Sequence, residues 1–196
     1  MADHVTPRFL SFTEESNALD YLEKAFYYIR EIDHDHTAWK WVILSLHGAI
    51  YGFAICALKG TDYTNVTEKQ RGKRLISFSK ALEGCQDPQR MRMTVNSQHL
   101  TLTDKQKHAL TQLKDNFRNT FEHFIPTNLH ISLHELPQMC LECLPTIEFL
   151  ALKTNNYTHL SLNERERTSF IVQQSSHILR SCLLYKEVVF GPDYQP

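Results

Sequence analysis

Residues 41–58, WVILSLHGAIYGFAICAL, are the most apolar segment of the chain. The segment is nearly long enough to span a bilayer, which takes about 20 apolar residues. Ser45, His47 and two glycines interrupt it, however, and no second segment of this kind is available to join it in a membrane bundle. We therefore interpret it as a helix buried at the centre of a soluble bundle. Gly48 and Gly52, four residues apart, predict a close helix neighbour on that face.

The composition is typical of one globular domain with a sizeable core. The chain has 196 residues, of which 42% are hydrophobic and 22% charged, and its formal net charge is -1. These shares are ordinary for a soluble protein, and the near-zero charge excludes a general nucleic-acid coat and a polybasic membrane binder. No internal repeat or linker divides the chain. The sequence predicts a single domain over residues 1–196 with short flexible termini.

The amino terminus and the cysteines indicate a cytoplasmic protein. The first residues, MADHVTPRFLSF, lack the basic and apolar regions of a signal peptide. Five cysteines, an odd number, fall mostly within apolar helical segments. This pattern suits reduced thiols better than a disulfide framework. We therefore expect a cytoplasmic chain that does not enter a membrane.

Hydrophobic periodicity predicts an all-α, up-and-down bundle of about six helices and no convincing strand. Ser16 is the expected N-cap of the first helix, which runs to about Ile32. The second helix is the apolar segment, ending near Gly60. A shorter helix is expected at 73–82, followed by a long non-helical stretch at 84–102. The other helices belong to the second half of the chain.

Capping signals mark where two helices of the second half begin. Thr103 with Gln106, and Ser161 with Glu164, have the spacing of a capping box, in which the two side chains satisfy free backbone amides at the start of a helix. We expect the helix that begins after Ser161 to be the last one and to extend to about Lys186.

Prolines mark the other boundaries. Pro126 is expected to end the helix that follows Thr103, because the residue before a proline avoids the α region. The segment ELPQMCLECLPTIEFLALK, residues 135–153, predicts a further helix. Pro137 lies near its first turn, where a proline is tolerated, and Pro145 is expected to kink it.

A cluster of polar side chains stands out on the helix expected from 103 to 125. At 100° per residue, the apolar residues of this helix lie close to one line, which predicts the core face. Arg118, Asn119 and His123 fall well away from that line, so we expect all three to face water or a second chain. Asn119 and His123, four residues apart, are expected to be direct neighbours. The core-face residues are Leu110, Leu113, Phe117, Phe121 and Phe124.

The cluster has two interpretations. Arg118 and Glu122 are four residues apart and can form a surface ion pair worth a few tenths of a kcal/mol, which would make this an ordinary polar helix face. Alternatively, the cluster is catalytic. In RNTFEH, residues 118–123, the arginine is the only one in the chain that asparagine follows directly, which favours the second interpretation.

RNTFEH at the end of a bundle helix resembles the Arg-polar-x3-His motif of the HEPN superfamily. These are small all-α domains found in toxin–antitoxin pairs, abortive-infection proteins and RNA-targeting CRISPR effectors. The longer segments LKDNFRNTFEHFIP and LHGAIYGFAICALKGT are similar to a group of uncharacterised bacterial HEPN-like proteins. The resemblance extends from about residue 17 to residue 185.

The resemblance implies a function and a set of site residues. In catalytic members, the motifs of two domains meet across a dimer and form a metal-independent endoribonuclease site. By motif position, the catalytic residues here are Arg118, Asn119 and His123. The implied protein is a homodimer that cleaves RNA without a cofactor or metal, and an antitoxin or a defence protein is a further implied partner. Control through a tyrosine two positions after the histidine does not apply, since that position is Ile125.

The chemistry of these residue types suits RNA cleavage. A histidine that titrates near neutrality can transfer protons, and an arginine can hold phosphoryl oxygens through two parallel hydrogen bonds. Two other functions stay open. A non-catalytic HEPN-like module would bind RNA, a nucleotide or a partner protein without cutting. A plain helical interaction protein would use RNTFEH only as a salt-bridged surface.

One other set of residues has the composition of a metal site. His130, His134, Cys140 and Cys143 are a nominal two-histidine, two-cysteine zinc set. Their spacing is compressed relative to zinc fingers, and both cysteines also fit an apolar helix stripe, so we predict no structural zinc. His47, on an apolar helix, is interpreted as a hydrogen-bonded core histidine.

Overall fold

The computed structural model describes residues 9–68, 74–123, 128–156 and 160–191, and in these ranges the chain is an all-α bundle without a strand. The predicted all-α class is therefore confirmed, with nine α-helices in the described residues where the sequence predicts about six. The α-helices, in chain order, are α1 (Glu14–Ile29), α2 (Ala38–Lys59), α3 (Phe78–Gln86), α4 (Pro88–Met91), α5 (Asp104–Thr111), α6 (Asn119–His123), α7 (Leu136–Glu148), α8 (Leu162–Ser181) and α9 (Leu183–Phe190).

α2 is the central helix, as the sequence predicts. Of its 22 residues, 14 are buried. It ends at Gly60, whose φ of 55° lies in the left-handed region that glycine tolerates. Among the described helices, α2 alone is long and apolar enough to cross a membrane, with a mean hydropathy of 1.8, but 67% of its most apolar window is buried inside the protein. Such burial is expected of the core helix of a soluble bundle.

α1 begins and ends earlier than predicted. Thr13 is its N-cap and forms a capping box with Ser16. Ser16 is therefore the third residue of the helix and not its N-cap. The helix ends at Ile29, before the expected Ile32. Its buried face is nevertheless the one that the apolar periodicity indicates.

The two glycines of α2 allow α1 to lie close, as their spacing predicts. A Cβ added at Gly52 would stand 2.7 Å from the Cβ of Ala18, closer than carbon atoms approach. A Cβ added at Gly48 would stand 2.6 Å from the ring of Tyr21. Both contacts are made by α1, so the backbones of α1 and α2 approach each other along this face.

The region between α2 and α5 holds more structure than predicted. α3 begins at Phe78, later than expected, because Ser77 is its N-cap. α4 interrupts the stretch 84–102, which was expected to be non-helical. Asp87 caps α4, and Pro88 takes the first helical position, where no amide hydrogen bond is needed.

α7 and α8 complete the bundle. The capping box of Ser161 and Glu164 opens α8 as predicted, but α8 ends at Ser181 and α9 follows as a separate helix. Pro145 lies inside α7, and a π-helical segment, Phe149–Lys153, continues the helix after it. A proline removes one helical hydrogen bond, so a changed bonding pattern close to it is expected.

Thr103 and Gln106 form the predicted capping box at the start of α5. α5, the π-helical segment Gln112–Arg118 and α6 follow one another without a break, and together they are called the site helix below. Phe124 and Pro126, the proline expected to end this helix, lie outside the described residues.

Candidate functional site

The π-helical segment changes where Arg118 points. Its hydrogen bonds span five residues, so it turns through a smaller angle per residue than an α-helix. The helical projection placed Arg118 about 100° from the core line, whereas in the structure only 29% of its side chain is exposed. Leu113 and Phe117 are buried as predicted. The expectation that Arg118 faces away from the core is therefore wrong, and its side chain lies half-buried against the bundle.

Arg118 is held by two neighbours on its own helix. Its Nη1 donates to Oδ1 of Asn119 at 2.9 Å, and its Nη2 pairs with Oε2 of Glu122 at 2.6 Å. Its Nε is buried and has no hydrogen-bond partner among the described residues. A buried donor without a partner is costly, and because this nitrogen is buried a ligand can reach it only if the guanidinium moves.

Asn119 contacts Arg118 and Asp115. Its amide nitrogen lies 3.5 Å from Oδ1 of Asp115, while its side-chain oxygen accepts from Arg118. Asp115 in turn pairs with Lys114 at 3.0 Å. Both residues lie in α6, four positions apart as the sequence has them, but no hydrogen bond joins Asn119 to His123. The Asn119 amide positions the guanidinium instead of the imidazole.

His123 lies at the end of α6 and is largely accessible to solvent, with 71% of its side chain exposed. Its Nε2 lies 3.9 Å from Oε2 of Glu122, the same oxygen that pairs with Arg118. Because both distances are measured to the same oxygen, Nη2 of Arg118 and Nε2 of His123 can be no further apart than the two distances added together. A single carboxylate oxygen stands where both side chains can reach it.

Arg118, Asn119 and Glu122 also line a cleft of about 890 Å³, called the central cleft below. α1 and α2 form two of its walls, and the site helix and residues 74–78 form the others. The lining residues that matter for its chemistry are His47, Tyr51, Arg74, Phe78, Lys114 and Arg118.

The surroundings of His47 differ from those that the sequence predicts. Its ring stacks on Phe78, with 4.4 Å between centroids and 19° between planes, and no hydrogen bond joins it to a described residue. Burial, and after it the positive charges of Arg118 and Lys114, lower the pKa of His47 to about 4. The imidazole is therefore neutral near pH 7 and offers the cleft one donor and one acceptor nitrogen.

Lys114 and Arg74 add positive charge to the cleft, and the sequence did not single them out. Lys114 donates to Oγ of Ser79 at 3.0 Å and also pairs with Asp115. Its position four residues before Arg118 is a signal that could have indicated it, because the two share a helix face. Arg74 enters the site only through the folding of the chain, and no local pattern indicates it.

The nominal zinc set does not assemble in the described residues. Cys140 and Cys143 are buried in α7, where burial raises the pKa of both thiols. His130 and His134 are exposed on the segment that precedes α7. Nowhere in the described ranges do three or more His, Cys, Asp or Glu side chains gather to hold a metal ion. The absence of structural zinc stays a prediction, to be checked by metal analysis of untagged protein.

Geometry alone defines this site. No protein-family model, curated protein or solved structure matches the chain. The functional conclusion therefore rests on the arrangement of Arg118, Asn119, Glu122 and His123, together with the central cleft beside them.

Proposed function

We propose that the chain is a metal-independent endoribonuclease of the HEPN type, acting on RNA as a cytoplasmic homodimer through Arg118, Asn119 and His123. The position of Oε2 of Glu122 carries this proposal: it lies 2.6 Å from Nη2 of Arg118 and 3.9 Å from Nε2 of His123. A phosphoryl oxygen bears negative charge as a carboxylate oxygen does, and it can take that place. A phosphate in that place would contact Arg118 and lie close to His123, which supports the proposal.

The reaction needs only groups that the RNA and two copies of the site supply. The 2′-hydroxyl attacks the adjacent phosphorus; the bond from the 2′-oxygen to phosphorus forms, and the bond to the 5′-oxygen breaks. His123 of one copy takes the hydroxyl proton, and protonated His123 of the second copy gives a proton to the leaving 5′-oxygen. The products are a 2′,3′-cyclic phosphate and a 5′-hydroxyl. Arg118 stabilises the charge that builds on the phosphoryl oxygens.

Asn119 acts through Arg118 in this scheme. Its side-chain oxygen accepts from Nη1 at 2.9 Å and so fixes the plane of the guanidinium. Nη2, which pairs with Glu122, is then the nitrogen that a displacing phosphate would meet. Because the amide touches the arginine and not the reacting atoms, its removal should weaken cleavage less than removal of Arg118 or His123.

A second candidate is a non-catalytic HEPN-like module, which binds without cutting because Glu122 keeps Arg118 occupied. The side chains of this pair are 29% and 39% exposed, and an ion pair so accessible is worth about 1 kcal/mol or less. A phosphate gains hydrogen bonds to a charged group worth about 1.5–3 kcal/mol each. A bound phosphate can therefore displace Glu122, so this ion pair does not by itself keep Arg118 from a substrate.

Cleavage of a single-stranded RNA oligonucleotide in EDTA tests the proposal. We expect products that end in 2′,3′-cyclic phosphate, identified by mass spectrometry, and we expect DNA of the same sequence to survive because it lacks the 2′-hydroxyl. The double variant Arg118→Ala, His123→Ala controls for contaminating ribonuclease. Undiminished cleavage by that variant would exclude the assignment, and binding without cleavage would support the second candidate.

The proposed reaction uses His123 from two copies of the chain, so it requires a dimer. Light scattering at micromolar concentration should therefore give twice the mass of the 22.9 kDa chain. A species of 22.9 kDa alone would contradict a site shared between two copies.

A further inference from the structure

A row of polar side chains along the site helix leads away from Arg118 to another helix of the bundle. Oδ1 of Asn119 accepts from Nη1 of Arg118 at 2.9 Å, and Nδ2 of Asn119 faces Oδ1 of Asp115 at 3.5 Å. The same oxygen of Asp115 pairs with Nζ of Lys114 at 3.0 Å. Nζ of Lys114 in turn donates to Oγ of Ser79, on α3, at 3.0 Å. The row therefore begins at the guanidinium and ends outside the site helix.

The π-helical segment Gln112–Arg118 brings the members of this row together. The backbone N–H of Asn119 bonds to the carbonyl oxygen of Lys114, five residues earlier. A hydrogen bond of this span defines a π turn, and π turns occur frequently at functional sites. Because of it, Asn119 stands one turn further along the helix than Lys114 and Asp115, on the same side.

The Asn119 amide has two possible orientations in this row, and its neighbours decide between them. An amide has an acceptor oxygen at one end and a nitrogen with two donor hydrogens at the other. In the structure the oxygen meets the guanidinium of Arg118, and the nitrogen meets the carboxylate of Asp115. The reversed amide would place donor against donor at Arg118 and acceptor against acceptor at Asp115. A separation of 3.5 Å is long for a hydrogen bond, but the reversed amide would be repelled at both ends.

Asp115 can hold the amide because its own position is fixed. Its side chain is 46% exposed, so without a partner it could turn into solvent. Lys114 is that partner, and the hydrogen bond to Ser79 fixes Lys114 against α3. The ion pair also offsets the negative charge of Asp115, which reduces the repulsion that this carboxylate would exert on a phosphate at Arg118.

We propose that Asp115 is a positioning residue of the cleavage site: it selects the orientation of the Asn119 amide, and the amide then fixes the guanidinium of Arg118. This inference rests on the proposed function, since it gives Asp115 a part in that reaction. No hydrogen bond or ion pair joins Asp115 directly to Arg118, so Asp115 acts through Asn119. Without the carboxylate the amide is free to turn over, and Nη1 of Arg118 then loses its acceptor.

Substitutions at Asp115 test the role by single-turnover cleavage of an RNA oligonucleotide. Asp115→Ala should slow cleavage about threefold to tenfold, which corresponds to the net strength of one hydrogen bond. Asp115→Asn keeps an oxygen that can accept from the amide, so its rate should stay within about twofold of the wild type. Asp104→Ala is the matched control, since Asp104 lies earlier on the same helix and pairs with Lys107 at 3.2 Å. Its rate should equal that of the wild type.

A double variant distinguishes positioning from a separate role. If Asp115 acts only through Asn119, its loss should have no further effect once Asn119 is replaced by alanine. The double variant Asp115→Ala, Asn119→Ala should therefore cleave as fast as Asn119→Ala alone. If the two losses multiply, the residues act independently and the proposal is contradicted.

The orientation of the amide can also be observed without cleavage. In a nitrogen–proton correlation spectrum, the side-chain NH2 signals of Asn119 are identified by their loss in Asn119→Ala. These signals should shift in Asp115→Ala and stay in place in Asp104→Ala. If Asp115→Ala leaves them unmoved, the proposal is overturned whether or not the protein cleaves RNA.

Two results of the rate measurements would also overturn the proposal. They are cleavage at the wild-type rate in Asp115→Ala and equal losses in Asp115→Asn and Asp115→Ala, since equal losses would show that charge and not an acceptor oxygen is needed. Shifted NH2 signals in a protein that does not cleave RNA would remove the proposed function, and the role of Asp115 in cleavage with it, while confirming that Asp115 holds the amide. The spectrum and the rates thus separate a failure of this inference from a failure of the proposed function.

Discussion

Arg118 lies near two histidines whose surroundings are opposite. His47, on α2, stacks on Phe78 and is buried deeply enough that its pKa falls to about 4. His123, at the end of α6, is 71% exposed and lies beside the carboxylate of Glu122. One guanidinium thus lies between a half-buried histidine of the central cleft and the exposed end of α6, called the rim below.

The two histidines are suited to different roles, one to proton transfer and the other to hydrogen bonding without a change of charge. A group that transfers protons works best when it titrates near the pH of the reaction. His47 stays neutral down to about pH 4, so at pH 7 it can donate and accept hydrogen bonds but cannot serve as a charged acid. His123 is open to water and to substrate. Of the two histidines beside Arg118, His123 is therefore the one suited to the proton transfer that the proposed cleavage needs.

The largest expected effect is on cleavage at the rim. His123→Ala removes the proton-transfer group and should slow cleavage about 100- to 10,000-fold, and Arg118→Ala removes charge stabilisation of similar size. Since His123 is exposed, its substitution should change the free energy of unfolding by about 1 kcal/mol or less. Single-turnover rates on an RNA oligonucleotide measure the effect.

The matched control for this prediction is His108→Ala. His108 is exposed earlier on the same helix, and its substitution should leave the single-turnover rate unchanged. If His108→Ala slows cleavage as much as His123→Ala, the rim has no special role and the comparison between the two histidines fails.

A second effect, on stability, comes from His47. The pKa of this ring falls from 6.5 to about 4 on folding, so the folded state favours the neutral form. The resulting stabilisation is fully present above pH 6.5, is lost as the pH falls toward 4, and amounts to about 3 kcal/mol at most. Denaturant unfolding at pH 7 and pH 4.5 measures this loss. Between the two pH values, the free energy of unfolding should fall less in His47→Phe than in the wild type. Equal losses would show that His47 is not held neutral in the cleft.

A smaller effect tests the wall that encloses the cleft. A Cβ at Gly52 would lie 3.1 Å from the Cα of Ala18 as well as 2.7 Å from its Cβ, so the backbone of α1 must move. Gly52→Ala should therefore lower the free energy of unfolding by about 1–3 kcal/mol. Gly48→Ala should cost less, because the clashing ring of Tyr21 is 40% exposed and can turn aside. If chemical denaturation shows that the two variants lose the same free energy of unfolding, the ring of Tyr21 is as fixed as the backbone of α1.

The sequence predicts the fold well where local signals are strong. α2 follows from one long apolar run, and the starts of α5 and α8 follow from capping boxes whose side chains bond as their spacing requires. The apolar periodicity misplaces the starts of α1 and α3, because Thr13 and Ser77 are the caps that the chain uses. Several Ser and Thr residues near a helix start can each serve as a cap, and propensity alone does not choose among them.

The candidate site is harder to predict, for two physical reasons. The π-helical segment Gln112–Arg118 alters the rotation of the helix, so a projection at 100° per residue misplaces Arg118. The central cleft, in addition, is built from residues far apart in the sequence. His47, Arg74 and Lys114 meet only through tertiary packing, and no local spacing connects them.

The most direct test of the central claim, that Arg118 and His123 can share one phosphate oxygen, is the single-turnover cleavage rate of Glu122→Gln beside that of Arg118→Gln. Glu122→Gln keeps the shape of the side chain but removes the negative charge that competes with phosphate at 2.6 Å from Arg118. We predict cleavage equal to or faster than wild type in Glu122→Gln, and a loss of about 100-fold or more in Arg118→Gln. If both variants lose cleavage alike, Arg118 serves only its ion pair with Glu122, and the shared phosphate site is contradicted.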